Sequence, residues 1–265
     1  MEGISFIKVQ GLGNDFVLID SRSEKLEGLN LNKIAVEICD RHFGVGADGV
    51  LIVWPSQKAH YRMQIFNPDG SEPEMCGNGI RCFARYVYEK DKLKEEVISV
   101  ETLAGIILPA IILDSAGAVA GVEVDMGIPK DEGEVVLQGF KFRKISMGNP
   151  HAVALVDDLS DIDLAEIGPI IEMNSHFPNR TNVEFIKVLN DKEIKILVWE
   201  RGVGETLACG TGACASMAAA SLEGKVGKRA IVHLPGGDLD IEWSEENHIL
   251  MRGPAESVFE GKYYL

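Results

Sequence analysis

Two cysteines stand in the same local setting. Cys76 opens Cys76-Gly77-Asn78-Gly79, and Cys209 opens Cys209-Gly210-Thr211-Gly212. Each run leads into a helix-forming stretch, Ile80 to Lys90 in the first case and Ala213 to Leu222 in the second. Asn78 and Thr211 are the expected N-caps. Each thiol is therefore expected just outside a helix N-terminus. Unpaired backbone N–H groups and the positive end of the helix dipole meet there and favour a thiolate. The same N–H groups can hold a carboxylate or a phosphate, since glycine lets an anion approach the backbone closely.

The repetition extends beyond the cysteines. They are 133 positions apart (209 − 76), and at that offset Tyr61 to Asn67 falls on Ile194 to Glu200, both strand-like, while Glu72 falls on Glu205. Gly13-Asn14 and Gly148-Asn149, offset by 135 (149 − 14), each precede an apolar strand that ends in aspartate, Asp20 and Asp157. We read an internal duplication of about half the chain. Duplicated halves commonly face each other across a cleft. Two thiols and two helix N-termini would then converge on one ligand.

The polar residues of the repeat gain weight from the pairing. Asn14 alone would be a turn asparagine, but Asn149 repeats its setting and favours ligand contact. Asn67 and Glu200, each nine residues before a cysteine, pair likewise. Arg201 is the side-chain anchor best suited to a carboxylate, with a surface salt bridge as the competing role. His151 can serve as a general acid or base, although a histidine at a strand start is more often a packed, hydrogen-bonded residue. Gly44-x-Gly46-x-x-Gly49 has the spacing of a dinucleotide fingerprint in the wrong context. That fingerprint follows a strand and opens a helix, whereas here a helix precedes and a strand follows. Cys39 and Cys82 fall on apolar helix faces and read as core.

Composition sets the limits. The chain has 265 residues and a formal charge of −15, which argues against nucleic-acid and anionic-membrane partners. Five cysteines without a secretory pattern suggest reduced thiols in the cytoplasm. Their spacings match no usual zinc site, so no metal is expected. Strands outnumber helices, and successive strands are too close for regular βαβ crossovers. The expected fold is α+β, with two pseudo-symmetric half-domains, each a barrel-like antiparallel or mixed sheet around one central helix. Residues 1–115 with 255–265 would carry Cys76, and residues 116–254 would carry Cys209, with the site in the cleft between them. Asp114-Ser115-Ala116-Gly117 marks the expected boundary.

Two thiols and two helix ends suit removal of the α-proton of an amino acid. No motif suggests a pyridoxal or metal electron sink, so the carbanion must be stabilised through its carboxylate by backbone N–H groups. A thiolate on one face removes the proton and a thiol on the other returns one, inverting the centre without a cofactor.

Met75-Cys76-Gly77-Asn78-Gly79, Ala208-Cys209-Gly210-Thr211-Gly212, Gly11-Leu12-Gly13-Asn14-Asp15-Phe16 and Gly148-Asn149-Pro150-His151 together resemble the diaminopimelate epimerases. The resemblance runs over essentially the whole chain. It implies cofactor-independent conversion of LL- to meso-diaminopimelate, for lysine and peptidoglycan synthesis. It also implies that Cys76 and Cys209 are the acid–base pair, and that Gly77, Asn78, Gly210 and Thr211 bind the reacting carboxylate. Asn14, Asn67, Asn149, Asn182, Glu200 and Arg201 would hold the substrate, chiefly its distal end, while His151 and Glu200 tune the thiols. The resemblance further implies a homodimer in which an aromatic residue of the last strand takes part. Phe259 stands there without a hydroxyl. The alternatives are another cofactor-independent amino-acid racemase, a hydrolase with Cys209 as nucleophile, and a thiol-redox protein.

Overall fold

The computed structural model describes residues 3–264; Met1, Glu2 and Leu265, all assigned above to the first half-domain, lie outside the described residues. The chain divides into two compact units, one running to Val124 and resuming at Gly253, the other spanning Asp125–Arg252. The division falls later than Asp114–Gly117. That turn, tied by Asp114 Oδ1 to the backbone N–H groups of Ala116 and Ala118, closes a hairpin inside the first unit.

The first unit runs β1 (Gly3–Gly11), β2 (Asn14–Asp20), α1 (Leu31–Cys39), β3 (Gly49–Pro55), β4 (Tyr61–Phe66), α2 (Gly77–Asp91), β5 (Val100–Thr102) and β6 (Gly105–Ile107). These strands lie in sequence order across one sheet. The pairs β1–β2, β3–β4 and β5–β6 are antiparallel, and β2–β3 and β4–β5 are parallel. The hairpin β7 (Ala110–Leu113) and β8 (Val119–Asp125) follows.

The second unit opens on β9 (Lys130–Leu137) and repeats the plan: β10 (Phe140–Ser146), β11 (Pro150–Leu155), α3 (Leu164–Glu172), β12 (Asn182–Asn190), β13 (Glu193–Glu200), the short β14 (Gly204–Glu205), α4 (Gly210–Leu222), β15 (Arg229–Leu234), β16 (Gly237–Trp243) and β17 (Ile249–Gly253). Here too β10–β11, β12–β13 and β15–β16 are antiparallel, while β11–β12 and β13–β15 are parallel. The last strand, β18 (Glu256–Tyr264), returns to the first unit as the sheet edge beside β1.

Gln138 and Gly139 take positive φ (53° and 82°) and form the turn between β9 and β10. One expectation is corrected. Helical crossovers do occur, since every parallel pair is bridged by a helix, α1 to α4 in turn. Strands come in close antiparallel twos, and a helix is spent between each two and the next. Counting neighbouring strands in sequence hides that alternation.

The central helices owe their position to composition. α4 touches β10, β11, β12, β13, β15 and β16. Every residue from Gly212 to Ala220 is buried, and most are alanine. A helix apolar on all sides has no solvent face, and small side chains let a sheet curl tightly around it. α2 fills the same place in the first unit, against β1 to β4, β7 and β18, with Ile80, Phe83 and Val87 fully buried. By contrast α1, capped by Asn30, buries only the face of Ile34, Ala35, Ile38 and Cys39. Burial pushes the Cys39 and Cys82 thiols up to about 12, which fits inert core residues. Among the described residues no helix is long and apolar enough to cross a membrane.

Candidate active site

Both central helices begin three residues earlier than the sequence suggests, and the cysteines themselves are the caps. Cys76 has extended backbone (φ −139°, ψ 120°), and its sulfur accepts from Gly79 N–H at 3.4 Å. Cys209 (φ −108°, ψ 108°) accepts from Gly212 N–H at 3.3 Å. Asn78 and Thr211, expected as caps, sit inside the first turn. Oxygen side chains dominate N-cap statistics, which is why the sequence pointed to them. The sulfur does the same work in both units. It also brings each thiol within reach of first-turn N–H groups, which have no partner within the helix.

In the first unit Asn14 links this turn to a charged network. Its Oδ1 accepts from Asn78 Nδ2 at 3.1 Å and lies 4.0 Å from the Cys76 sulfur. Its Nδ2 donates to Asp48 Oδ2 at 2.9 Å, which fixes the amide's orientation. Asp48 also accepts from the Asp15 backbone N–H and from Arg41. Arg41 and Lys8 pair with Asp15 in turn. Burial pushes the Asp15 carboxyl up, but the hydrogen bonds from Arg41 and Lys8 outweigh it and hold the group below the usual carboxylate range. Asp48 carries no local sequence signal, since its partner Asn14 lies 34 residues away. Asn67 is taken up locally, donating from Nδ2 to Ser71 Oγ at 2.9 Å across the turn after β4.

The second unit gathers more of the predicted residues. Asn149 Nδ2 donates to Thr211 Oγ1 (3.2 Å), which lies 3.6 Å from the Cys209 sulfur. His151 is buried, with Nδ1 2.6 Å from Glu184 Oε1 and Nε2 3.1 Å from Asn149 Oδ1. Its ring nitrogens therefore meet Glu184 and Asn149, an arrangement unlike that of a histidine activating a cysteine nucleophile. Asn182 bridges two strand ends, donating to Pro150 O and accepting from Arg201 N–H, each at 2.9 Å. Glu200 accepts from Thr206 Oγ1 at 2.6 Å. The Arg201 side chain is exposed, with Nη1 donating to Asn179 O. Glu184 and Thr206 were not anticipated. An acidic residue inside the apolar run Val183 to Ile186 was the available signal for Glu184.

The expectation that a helix N-terminus favours a thiolate fails at Cys209. Burial pushes this thiol well above its ordinary value, and the carboxylates of Glu200 and Glu184 push the same way. The Thr211 hydroxyl and the Gly212 N–H pull it down, but less strongly. Burial likewise raises the Glu200 carboxyl, against the pull of the Thr206 hydroxyl. These influences favour the protonated thiol at Cys209, a form suited to giving a proton. Among the described residues no cluster of histidine, cysteine, aspartate or glutamate is arranged to hold a metal ion.

The chain is 52% identical over 278 aligned positions to the diaminopimelate epimerase of Moorella thermoacetica, covering 98% of this chain and 99% of that protein. It is 50% identical to the diaminopimelate epimerase of Pelotomaculum thermopropionicum, with 97% and 98% covered. Among solved structures, a PhzF-family phenazine biosynthesis protein from Bacillus anthracis superposes with a TM-score of 0.78 at 19% identity, over the full length of both chains. A hydroxyproline epimerase from Agrobacterium vitis gives 0.71 at 14% identity, covering 98% of this chain and 92% of that one. At such identities these two speak to the fold alone: mixed α+β, rich in sheet, with few helices. The diaminopimelate epimerase family model matches residues 6–131 and 143–258. With that match and relatives at half identity over nearly its whole length, the chain belongs to the diaminopimelate epimerase family.

Proposed function

We propose that this protein interconverts LL- and meso-diaminopimelate by two-base α-proton transfer, without a cofactor, and that it is an isomerase of lysine and peptidoglycan precursor synthesis. One observation carries the reading. The same device, a cysteine sulfur capping the N-terminus of a buried central helix, is built once in each unit. Inverting a stereocentre through a planar carbanion needs one proton-transfer group for each face, and a duplicated half-domain supplies the second.

In this reading Cys76 and Cys209 exchange the roles of base and acid with the direction of reaction. The N–H groups of Gly77, Asn78, Gly210 and Thr211 receive the reacting carboxylate and stabilise charge as it develops there. Asn14, Asn67, Asn149, Asn182, Glu200 and Arg201 hold the rest of the substrate. Asn67 then exchanges its bond to Ser71 for the ligand. His151 and Glu200 govern the protonation of the thiols. The need for two reduced thiols suits the cytoplasm.

The test is incubation of the reduced protein with LL-diaminopimelate in deuterated water, followed by proton NMR. Deuterium at the α-carbon together with meso product is the expected result. Exchange with proline or another amino acid but not with diaminopimelate would refute the substrate and keep the chemistry.

We also propose a homodimer formed through β18. This strand is the open edge of its sheet and exposes Val258, Phe259 and Tyr264. Phe259 is held edge-on to Phe6, with ring centroids 5.9 Å apart. Sedimentation should give twice the 28.9 kDa chain mass, and Val258→Lys should shift the protein toward monomer. A wild-type protein that sediments at the mass of one chain when diluted only to micromolar concentration would refute the dimer.

A further inference from the structure

A buried carboxyl–imidazole pair lies behind Cys209 at a place where the first unit has none. The His151 and Glu184 side chains are fully buried, 2.6 Å apart. Strand register identifies their counterparts. Phe16 pairs with Gly49 and Leu18 with Leu51 across β2–β3, while His151 pairs with Asn182 and Val153 with Glu184 across β11–β12. His151 therefore occupies the place of Phe16, and Glu184 that of Leu51. The third residue of each central helix repeats the correspondence. A Cβ on Gly79 would lie 3.2 Å from Leu51 Cδ2, and one on Gly212 would lie 2.8 Å from Glu184 Oε1.

The fold thus fills these two positions with apolar side chains when packing is the only demand. Phe16 and Leu51 are 2% and 0% exposed. A carboxylate and an imidazole there carry a desolvation cost that phenylalanine and leucine avoid. Burial raises the Glu184 carboxyl, against the pull of the His151 ring. Its second oxygen, Oε2, is buried without a hydrogen-bond partner. From the ring, contacts run through Asn149 and Thr211 to the Cys209 sulfur.

We propose that Glu184 is a positioning residue of the epimerase site: it holds the His151 ring with a proton on Nδ1 and sets the direction of donation through Asn149 and Thr211 toward Cys209. Histidines that work in protein sites are oriented in this way by a partner on the other ring nitrogen. When both ring nitrogens donate, Asn149 accepts from the ring and donates to Thr211, whose hydroxyl is left to donate to the sulfur. The titratable groups around this chain are Glu184 on β12, Glu200 at the end of β13 and Cys209 before α4. The inference rests on the epimerase reading.

Two variants test it. Glu184→Gln keeps the shape and removes the charge. It should lower kcat roughly ten- to a hundredfold with little change in KM. In protein labelled with 15N-histidine, the Nδ1 signal of His151 should shift. The double variant Glu184→Leu with His151→Phe copies the first unit's apolar pair. It should melt at or above the parent temperature yet retain under about 1% of the activity. An unchanged kcat and an unmoved His151 Nδ1 signal in Glu184→Gln, or an active double variant, would overturn the proposal. A parent enzyme that exchanges no α-hydrogen of diaminopimelate would instead overturn the epimerase reading, and the 15N signal would still report whether Glu184 sets the ring's proton.

Discussion

Replacing Cys209 by alanine is expected to lower LL-to-meso conversion by at least about a thousandfold, within the range that one positioned acid–base group supplies, and Cys76→Ala should do the same. The informative result is what each variant retains. A single remaining thiol still faces one side of the α-carbon. It can remove the proton of one isomer and return a deuteron from solvent to the same face. Cys76→Ala should therefore exchange the α-hydrogen of one isomer without inverting it, and Cys209→Ala that of the other. The pair of experiments assigns each thiol to an isomer. Each cysteine is also a helix cap, so truncation to alanine costs roughly 0.5–2 kcal/mol of stability by analogy with oxygen caps. Cys209→Ser and Cys76→Ser separate the two effects. A hydroxyl can still accept from Gly212 or Gly79 N–H, but it will not act as the base near neutral pH. Serine variants that keep the melting temperature and lose conversion fit the acid–base role. If either cysteine-to-alanine variant converts LL to meso at the parent rate, two-base chemistry at these thiols is wrong.

The reach of the sequence was set by whether a residue's role is local. The duplicated Cys-Gly-x-Gly was legible because it is a turn-and-helix device written in four consecutive residues. The glycines are needed where the first turn meets other groups: a Cβ on Gly212 would also lie 3.2 Å from the Cys209 sulfur. The duplication was legible because the two copies preserve that spacing. The capping atom was not legible because thiols are rare caps, and only the folded backbone brings the N–H to the sulfur. Asp48 and Glu184 escaped because each acts on a residue more than thirty positions away in sequence. The crossovers escaped for a related reason, since parallel pairing joins strands that are distant along the chain. The protonated Cys209 could not be read from its neighbours in sequence. Its state follows from burial and from carboxylates on β12 and β13, which outweigh the helix end.

That balance makes Glu200 the residue with the most distinctive expected behaviour. The Glu200 carboxylate raises the Cys209 thiol through its charge. Glu200→Gln removes a negative charge beside the sulfur, so the thiol should ionise at lower pH. Alkylation of Cys209 by iodoacetamide near neutral pH should accelerate, with its rate–pH curve displaced to lower pH. Epimerisation should move the opposite way and fall roughly a hundredfold. A more acidic thiol gives a thiolate that is a weaker base, and the variant lacks the carboxylate that takes the thiol proton when Cys209 must act as base. A residue that merely supports the fold would, when replaced, expose the buried thiol and speed alkylation while slowing turnover, but the rate–pH curve would keep the parent's midpoint. Faster alkylation with a curve displaced to lower pH, together with slower turnover, is therefore the signature of a carboxylate that holds the proton on the thiol until the reaction needs it. Alkylation that slows in Glu200→Gln, or keeps the parent's pH curve, would show that Glu200 has no hold on the thiol, and the protonated state of Cys209 would then rest on burial and Glu184 alone.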